Sequence, residues 1–200
     1  MRFSDISQDK KTHYSLKQNE EACFFMLNRT GQVTFELNAP GAKATILSLF
    51  LANEDGHALS VTQKHSAQKT TSHFVGKALV GGTARFNYEG LISIEEKANG
   101  SDASQECRNL ILSENAGAIA KPALEIKTDE VRCHHAATTS TLSKEATFFA
   151  ESRGLNESEA RGLLVAGFVK SVLEKIPETF SKERTAIEEE VMKKLTKLSL

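Results

Sequence analysis

The sequence CRNLILSENAGAIAKPALEIKTDEVRCHH, which runs from residue 107 to residue 135, decides the fold. Small and turn-forming residues separate several short apolar segments in it. Leu110 and Leu112 alternate with other side chains, and Leu124 and Ile126 repeat this pattern after Pro122. A spacing of two residues is typical of a half-buried β-strand, because successive side chains point to opposite faces. The stretch therefore predicts a series of strands.

The last of these strands carries a cysteine and two histidines. Val131, Cys133 and His135 continue the alternation, so we expect Cys133 and His135 to share one face. At a rise of about 3.3 Å per residue they lie about 7 Å apart along the strand. His134 is expected to point the other way. The strand would thus present a thiol and an imidazole together, both of which can bind iron.

Length and composition exclude several classes of protein. The chain has 200 residues, 40% of them hydrophobic, and a net charge of −1. That length fits one domain with a small appendage, and the balanced charge gives no sign of a nucleic-acid or membrane-surface binder. Apolar runs fall short of the ~20 residues that span a bilayer, and the polar N-terminus lacks the apolar core of a signal peptide. We therefore expect a cytoplasmic protein whose three cysteines are free thiols.

Alternating segments recur along most of the chain upstream. Turn-forming residues separate them, and they lie near residues 23–27, 33–37, 46–51, 59–61, 74–80 and 86–94. Many short strands with regular turns predict a sandwich, a barrel or a β-helix. Repeats that each cover the next favour a solenoid, but the pattern alone leaves the sandwich and the β-helix about equal. The polar residues 1–20 are expected to be frayed or to form a short helix.

The periodicity changes after residue 141, where helices are expected. They cover residues 145–153, 157–176 and 181–198. Asn156, followed three positions later by Glu159, has the pattern of a capping box at the start of the second helix. An apolar stripe runs along that helix and is first of all a helix-packing face, with docking of a partner as its functional alternative; it consists of Leu164, Phe168, Val172 and Ile176, widened by Leu163 and Val165.

The segment from residue 109 to residue 176 resembles the C-terminal part of the SufB/SufD family, the scaffold components of the SUF iron–sulfur cluster assembly machinery. The register of the resemblance is unbroken. Its motifs are NLILS at 109–113, KPALEI at 121–126, DEVRC at 129–133, His135 with Ala137-Thr138, and Ser152-Arg153-Gly154. The Cys-x-His spacing at 133–135 resembles the SufD side of the family.

This resemblance implies a mainly β fold, with a right-handed parallel β-helix core followed by a C-terminal α-helical domain. We expect a polar N-terminal segment at 1–20, the β-helix at 21–140 and the helical domain at 141–200. The resemblance also implies a scaffold and not an enzyme. Such a scaffold pairs through its β-helix with a SufB-like partner or a second copy, and its C-terminal helices dock a SufC-type ABC ATPase. The sequence has no phosphate-binding Gly-Lys-Ser/Thr loop, so ATP hydrolysis is expected from that partner.

The resemblance further implies where a transient iron–sulfur cluster is handled. His135 and Cys133 match the family's Cys-x-His motif, and Cys107 falls near the functional cysteine of SufB-type members. SufD-type members usually carry asparagine there, so the chain mixes features of the two subunits. Ala136 stands where SufB-type members have a functional glutamate, which argues against cluster assembly by this chain alone. We take Cys107, Cys133 and His135 as the candidate metal and cluster ligands.

The remaining candidates carry weaker signals. His65 and His73 lie near strand ends, and Cys23 is expected in the core because free cysteine is among the most buried residue types. Polar residues on the helix surfaces are expected to form the rim of the ATPase-docking region; they are Arg153, Glu157, Glu159 and Arg161.

Two other function classes stay open on the sequence. A hydrolase would use Cys133 as nucleophile and His135 as base, but side chains two positions apart on one strand rarely come within hydrogen-bond reach. A structural module would dimerise through strand edges and bind no metal. Thiol reactivity without a partner would favour the hydrolase, an ATPase-dependent complex would favour the scaffold, and the structural module predicts neither.

Overall fold

The computed structural model describes residues 1–196 and 198 of the chain. Its first 141 residues are built from β-strands, and α-helices follow. The strands are β1 (Arg2–Asp5), β2 (His13–Ser15), β3 (Glu21–Leu27), β4 (Gly31–Leu37), β5 (Lys43–Ala52), β6 (Gly56–His65), β7 (Thr71–Val80), β8 (Arg85–Ile94), β9 (Asp102–Ile111), β10 (Gly117–Ile126) and β11 (Arg132–Thr141). The helices are α1 (Lys144–Glu151), α2 (Glu157–Leu173) and α3 (Ser181–Leu195), with a short 3₁₀ turn at Glu178–Phe180.

The strands form two parallel sheets. Sheet 1 has the order β1-β3-β5-β7-β9-β11, and sheet 2 has the order β10-β8-β6-β4-β2. Odd-numbered strands lie in one sheet and even-numbered strands in the other, so the chain crosses between the sheets after every strand. Neighbouring strands in each sheet are parallel, whereas sandwiches are built from antiparallel sheets. The parallel β-helix is confirmed, and the sandwich alternative is wrong.

Equivalent positions stack from one turn of the solenoid to the next. Lys43 pairs with Thr71, Thr71 pairs with Asp102, and Asp102 pairs with Arg132. Each turn therefore places its side chains directly above those of the turn before it. A side chain therefore faces the interior or the solvent together with the side chains of the residues with which it pairs.

The strands are longer than the apolar segments of the sequence indicated. In β6, which has 10 residues, Ser60, Thr62 and Lys64 face outward between buried neighbours. Polar outward residues continue a strand without adding to an apolar pattern, so the sequence showed only part of each strand. The frayed or helical start expected for residues 1–20 is also wrong, since β1 and β2 lie there and add a first strand to each sheet.

Aromatic rings fill the interior between the two sheets. Tyr14 stacks on Phe35 with the ring centroids 5.5 Å apart, and Phe24 lies 4.9 Å from the same Phe35 ring. Farther along, Phe74 stacks on Tyr88 at 5.2 Å. These side chains come from both sheets and are almost fully buried. Aromatic pairs in this geometry add about 0.5–1.5 kcal/mol each to their burial.

Helices α2 and α3 pack on the outer face of sheet 1. Apolar side chains of the strands, such as Phe25, Leu47 and Leu79, meet Val165, Val169, Val172, Ile176, Ile187 and Val191 of the helical part. The stripe predicted for the second helix is confirmed at Val165, Val172 and Ile176 and in part at Phe168. Leu163, however, is 58% exposed, and Val169, which the prediction left out, is buried. The capping box is confirmed, because Asn156 Oδ1 accepts from Glu159 N at 3.0 Å and Asn156 N donates to Glu159 Oε2 at 2.8 Å.

A lysine of the sheet anchors the second helix. Lys77 on β7 donates from Nζ to the Phe168 carbonyl at 3.0 Å and lies 4.3 Å from the centre of the Phe168 ring. It also donates to Ser171 Oγ. A partly buried cation over an aromatic face is attracted by the ring's quadrupole, so this contact stabilises the position of α2 on the solenoid.

Candidate functional site: the open end of the solenoid

The last strand of each sheet leaves one end of the solenoid open. We call β10 and β11 the end rung, because each has a strand neighbour on one side only. Most residues of β10 and all but one of β11 are exposed, including the apolar Ile119, Leu124 and Ile126. Pro122 lies inside β10, and a residue without an N–H group suits an edge strand. Long, flat, partly apolar edge strands are surfaces that other strands pair with.

The other end of the solenoid is closed by its own chain. The edge strands β1 and β2 have 4 and 3 residues. The buried Arg29 guanidinium holds the segment between them by donating to the carbonyls of Ile6 and Lys11. Very short edge strands blunt pairing with other chains. The two ends therefore differ, and the long exposed strand edges lie at the end rung.

The register places the predicted site residues at this open end. Cys133 stacks above Ala103, His135 above Gln105, and Ala137 above Cys107. The three residues below are all buried inside the solenoid. Cys133 and His135 therefore share the inner-facing side of β11, as the two-residue spacing predicted, and His134 faces the opposite side. His135 is exposed because no further turn covers the end rung.

Cys107 lies one turn below this open surface. It is 2% exposed, and its Sγ lies 3.7 Å from Asn109 Oδ1. Burial raises the pKa of the Cys107 thiol to about 12, and the nearby Glu106 carboxylate adds to the shift. Metals bind the thiolate form. Cys107 can therefore act as a ligand only if a metal ion displaces the thiol proton and the end rung moves to let that ion reach the sulfur.

Cys133 is less buried but also held as a thiol. It packs against a small apolar cluster formed by Ile92, Ile94, Ala98 and Ala103, together with Val131. Burial raises the pKa of Cys133, and the Asp102 carboxylate raises it further. A nucleophilic cysteine needs the opposite shift. This environment therefore argues against the cysteine hydrolase and leaves ligation, where a metal replaces the proton, as the better use of Cys133.

The third cysteine is far from this end. Cys23 on β3 faces the helices in the apolar layer between sheet 1 and α2–α3, and it is 0% exposed. Burial raises its pKa to about 12. This environment supports the expected core role of Cys23.

The described residues of one chain do not complete a metal site. Within residues 1–196 and 198, no three histidine, cysteine or acidic side chains come together closely enough to hold an ion. The inner face of the end rung offers Cys133 and His135, and a cluster needs more ligands than these two. Their chemistry suits iron–sulfur cargo, but the missing ligands would have to come from a second chain.

The proposed ATPase-docking residues have unequal surroundings. Arg153 is exposed and lies 4.9 Å from the centre of the Phe149 ring, and Glu157 is exposed at the start of α2. Glu159 is engaged in the capping box, and Arg161 donates to the Leu112 carbonyl at 3.2 Å. Glu159 and Arg161 therefore have structural partners, whereas Arg153 and Glu157 face solvent.

The exposed aromatic residues of α1 were not predicted from the sequence. Phe148 and Phe149 are 71% and 61% exposed, and α1 packs mainly against α2. Two adjacent phenylalanines in a short helix point about 100° apart, so a narrow buried stripe covers at most one of them well. That adjacency was the available signal. Leu163 of the neighbouring α2 is a third exposed apolar side chain of the helical part, and we call these three residues the helix patch.

The two other histidine candidates, His65 and His73, lie in different surroundings. His73 is exposed, and its Nδ1 lies 2.7 Å from Ser104 Oγ. His65 is fully buried, with Nδ1 2.7 Å from Thr70 Oγ1 and Nε2 2.7 Å from Ser72 Oγ. Since both ring nitrogens of His65 have hydroxyl partners inside the solenoid, it serves as a structural hydrogen-bonding group.

His65 should make the stability of the protein depend on pH. Burial lowers its pKa from 6.5 to about 4. Below pH 6.5 the unfolded chain takes up a proton that the folded chain refuses until about pH 4, so acid favours unfolding. The titration of His65 therefore leaves the free energy of unfolding unchanged above pH 6.5 and lowers it by about 3 kcal/mol at pH 4. Urea unfolding of wild type and His65→Gln between pH 7 and pH 4 should show a smaller loss in the variant. An equal loss would contradict this assignment, and the exposed His134→Gln serves as control.

None of the described helices is both long enough and apolar enough to cross a membrane.

Comparison with known proteins identifies the family. The family model described as "SUF system FeS cluster assembly, SufBD core domain" matches residues 17–168. This range contains the end rung, the strands β3 to β9 below it and most of α2. It covers more than half of the chain.

Individual relatives have names from the same assembly system. An iron–sulfur cluster assembly SufBD family protein of Mycobacterium bovis is 34% identical over 143 residues, which is 71% of this chain and 17% of the relative. The SufB protein of Bacillus subtilis is 30% identical over 148 residues, 74% of this chain and 32% of the relative. A chloroplastic SufBD family protein of Arabidopsis thaliana is 27% identical over 119 residues, 60% of this chain and 21% of the relative.

The chain thus spans less than a third of the length of these relatives. The part that the family model matches nevertheless carries most of the solenoid, its open end and most of the second helix. The match of the family model to most of the chain, the parallel β-helix and the Cys-x-His strand at its open end agree: the chain belongs to the SufBD core family of the SUF iron–sulfur cluster assembly system.

Proposed function

We propose that this chain is a SufD-like scaffold component that pairs with a second SufBD-type chain through its end rung. The observation that carries the proposal is the inward-facing Cys133 and His135 on an exposed edge strand. A second chain that continues the sheets would cover the apolar Leu124 and Ile126 and would bring its own ligands opposite this pair. The partner is either a SufB-like protein or a second copy.

In this proposal the iron–sulfur cluster is cargo that the paired scaffold holds transiently. His135 is exposed and offers an imidazole nitrogen without a rearrangement. Cys133 is half-buried and would release its proton when iron binds, because thiolate is the form that ligates. Cys107 would join only if the end rung opens. The alanine at position 136 adds no carboxylate, so the chain depends on its partner for acidic ligands.

The helical part is proposed to dock the SufC-type ATPase. The helix patch supports this, because exposed phenylalanines are unusual on a free surface and are enriched at protein interfaces. The solvent-facing Arg153 and Glu157 flank it and would form part of the polar rim. We propose that the domain division follows these roles, with pairing by residues 21–140, docking by 141–200 and closure of the other end by 1–20.

The helix patch can be tested by binding. Phe148→Ser combined with Phe149→Ser is expected to weaken binding of the SufC-type ATPase at least tenfold, since interface aromatics are often worth 2 kcal/mol or more, about 30-fold. Both rings are mostly exposed, so thermal unfolding should change little. The control is Met192→Ser on α3, where the side chain is 47% exposed and lies outside the helix patch. Unchanged affinity in the double variant would remove the docking proposal.

One observation favours a second function. Since the described residues of one chain do not bring three metal-binding side chains together, the chain could pair and dock without handling a cluster. That structural module predicts a complex whose iron content does not depend on His135.

A further inference from the structure

The interior of the solenoid is polar at one level below the end rung. Gln105 on β9, Tyr88 on β8 and Gln63 on β6 are each at most 1% exposed. They come from both sheets and point into the space between them. The two glutamines and the tyrosine offer both donors and acceptors inside the solenoid.

Several of their polar atoms have no protein partner within the described chain. These atoms are both Oε1 and Nε2 of Gln105, Oε1 of Gln63 and the hydroxyl of Tyr88. The other amide atom of Gln63 is satisfied, because Nε2 donates to Ser72 Oγ at 2.6 Å and to the Ser104 carbonyl at 3.1 Å. A buried polar group without a partner destabilises a protein by about 1–3 kcal/mol, and such groups usually bind ordered water.

The geometry around Gly90 shows that two of these groups converge. A Cβ atom on Gly90 would lie 2.1 Å from Gln105 Nε2 and 2.6 Å from the Tyr88 hydroxyl. Both groups therefore approach one point above the Gly90 backbone, which only glycine leaves free. Tyr88 also lines a cavity of about 10 Å³, together with Ser48, Cys107 and several apolar side chains, and of the three polar residues it alone borders this cavity. That volume is close to the ~10–15 Å³ that one water molecule occupies.

We propose that Gln105, Tyr88 and Gln63 form a built hydration site that holds at least one buried water molecule beside Cys107. The ligand must be small and must both donate and accept hydrogen bonds. The three side chains that form the site carry no charge, so a neutral ligand suits it, and the cavity has the size of water.

The end rung provides the route by which this water exchanges with solvent. Ala120 stacks above Tyr88, and Ala137 stacks above Cys107. These side chains are small, and no further turn lies above them. The buried thiol of Cys107 is therefore in contact with exchangeable water, whereas the thiol of Cys23 lies in the apolar layer beneath the helices.

Hydrogen–deuterium exchange of the two thiols tests this difference. The sulfhydryl stretching band would be followed by infrared spectroscopy after transfer into heavy water, with Cys107→Ala and Cys23→Ala assigning the bands. We expect Cys107 to exchange at least tenfold faster than Cys23, although both are buried. Gln105→Leu removes the site's central amide and should slow hydrogen exchange of the Cys107 thiol at least tenfold. The exposed Gln32→Leu is the matched control and should change neither rate.

The wild-type crystal structure at high resolution is a second measurement that needs no variant. It should show a water molecule within hydrogen-bond distance of the Gln105 amide and the Tyr88 hydroxyl. A dry site in that structure would overturn the proposal, and so would Cys107 exchange that is no faster than Cys23 exchange.

Discussion

The double substitution Leu124→Asp with Ile126→Asp is expected to weaken pairing about 100-fold or more. Both side chains belong to the inner-facing rows of β10, where Leu124 stacks above Ile92 and Ile126 above Ile94. They are nevertheless about 40% exposed, because no turn covers them. In the paired scaffold they would be buried, and two buried carboxylates facing apolar surface cost more than the ~2.7 kcal/mol that corresponds to 100-fold.

Sedimentation of the chain with a SufB-like protein, and of the chain alone, measures this loss. The matched control makes the same change of charge at the closed end, with the exposed Gln8→Asp and Gln18→Asp, and should leave pairing unchanged. Thermal unfolding should confirm that the end-rung variant is folded. If the closed-end variant loses pairing and the end-rung variant keeps it, the interface lies at the other end of the solenoid.

Phe35→Ala is expected to lower the free energy of unfolding by roughly 3–5 kcal/mol. The Phe35 ring is fully buried and packs between Tyr14 and Phe24, so its removal leaves a cavity that two sheets cannot close. Each turn of a solenoid is held mainly by its neighbours, so the turns nearest Phe35 should open first. A loss of this size is a large part of the roughly 5–15 kcal/mol that stabilises most domains.

Urea unfolding measures this effect, and Phe148→Ala is the matched control. The same ring is removed there from the exposed surface of α1, and the change should stay within about 0.5 kcal/mol. Equal effects of the two substitutions would contradict the placement of Phe35 in the core.

The faces of the last strand could be predicted from the sequence, and its exposure could not. The spacing of Cys133 and His135 fixes their shared side in any strand, because the alternation of side chains is a property of the backbone. Whether that side is covered depends on a further turn of the solenoid, which no local pattern reveals. The sequence around Leu124 and Ile126 looks like that of a buried strand, although both residues lie at an open end.

For the helices too, local features could be predicted from the sequence and burial could not. The capping box at Asn156 was predictable because it depends on two residues three positions apart. The buried side of α2 was predicted only in part: Val165 and Val172 are buried as expected, whereas Leu163 faces solvent and the buried Val169 was left out. Apolar residues occur on both sides of this helix, so the sheet beneath it decides which side is covered. The polar site around Gln105 could not be predicted, since glutamine gives no signal for the interior.

We propose above all that the open end of the solenoid, with His135 on it, handles an iron–sulfur cluster in a paired complex. The most direct test is anaerobic purification of this chain with a SufC-type ATPase and a SufB-like protein, followed by assay of iron and acid-labile sulfide. The His134→Ala variant, changed on the opposite face, is the control. We expect His135→Ala to lower both contents at least severalfold while the complex still forms, and His134→Ala to keep them. Unchanged iron and sulfide in the intact His135→Ala complex would contradict the claim.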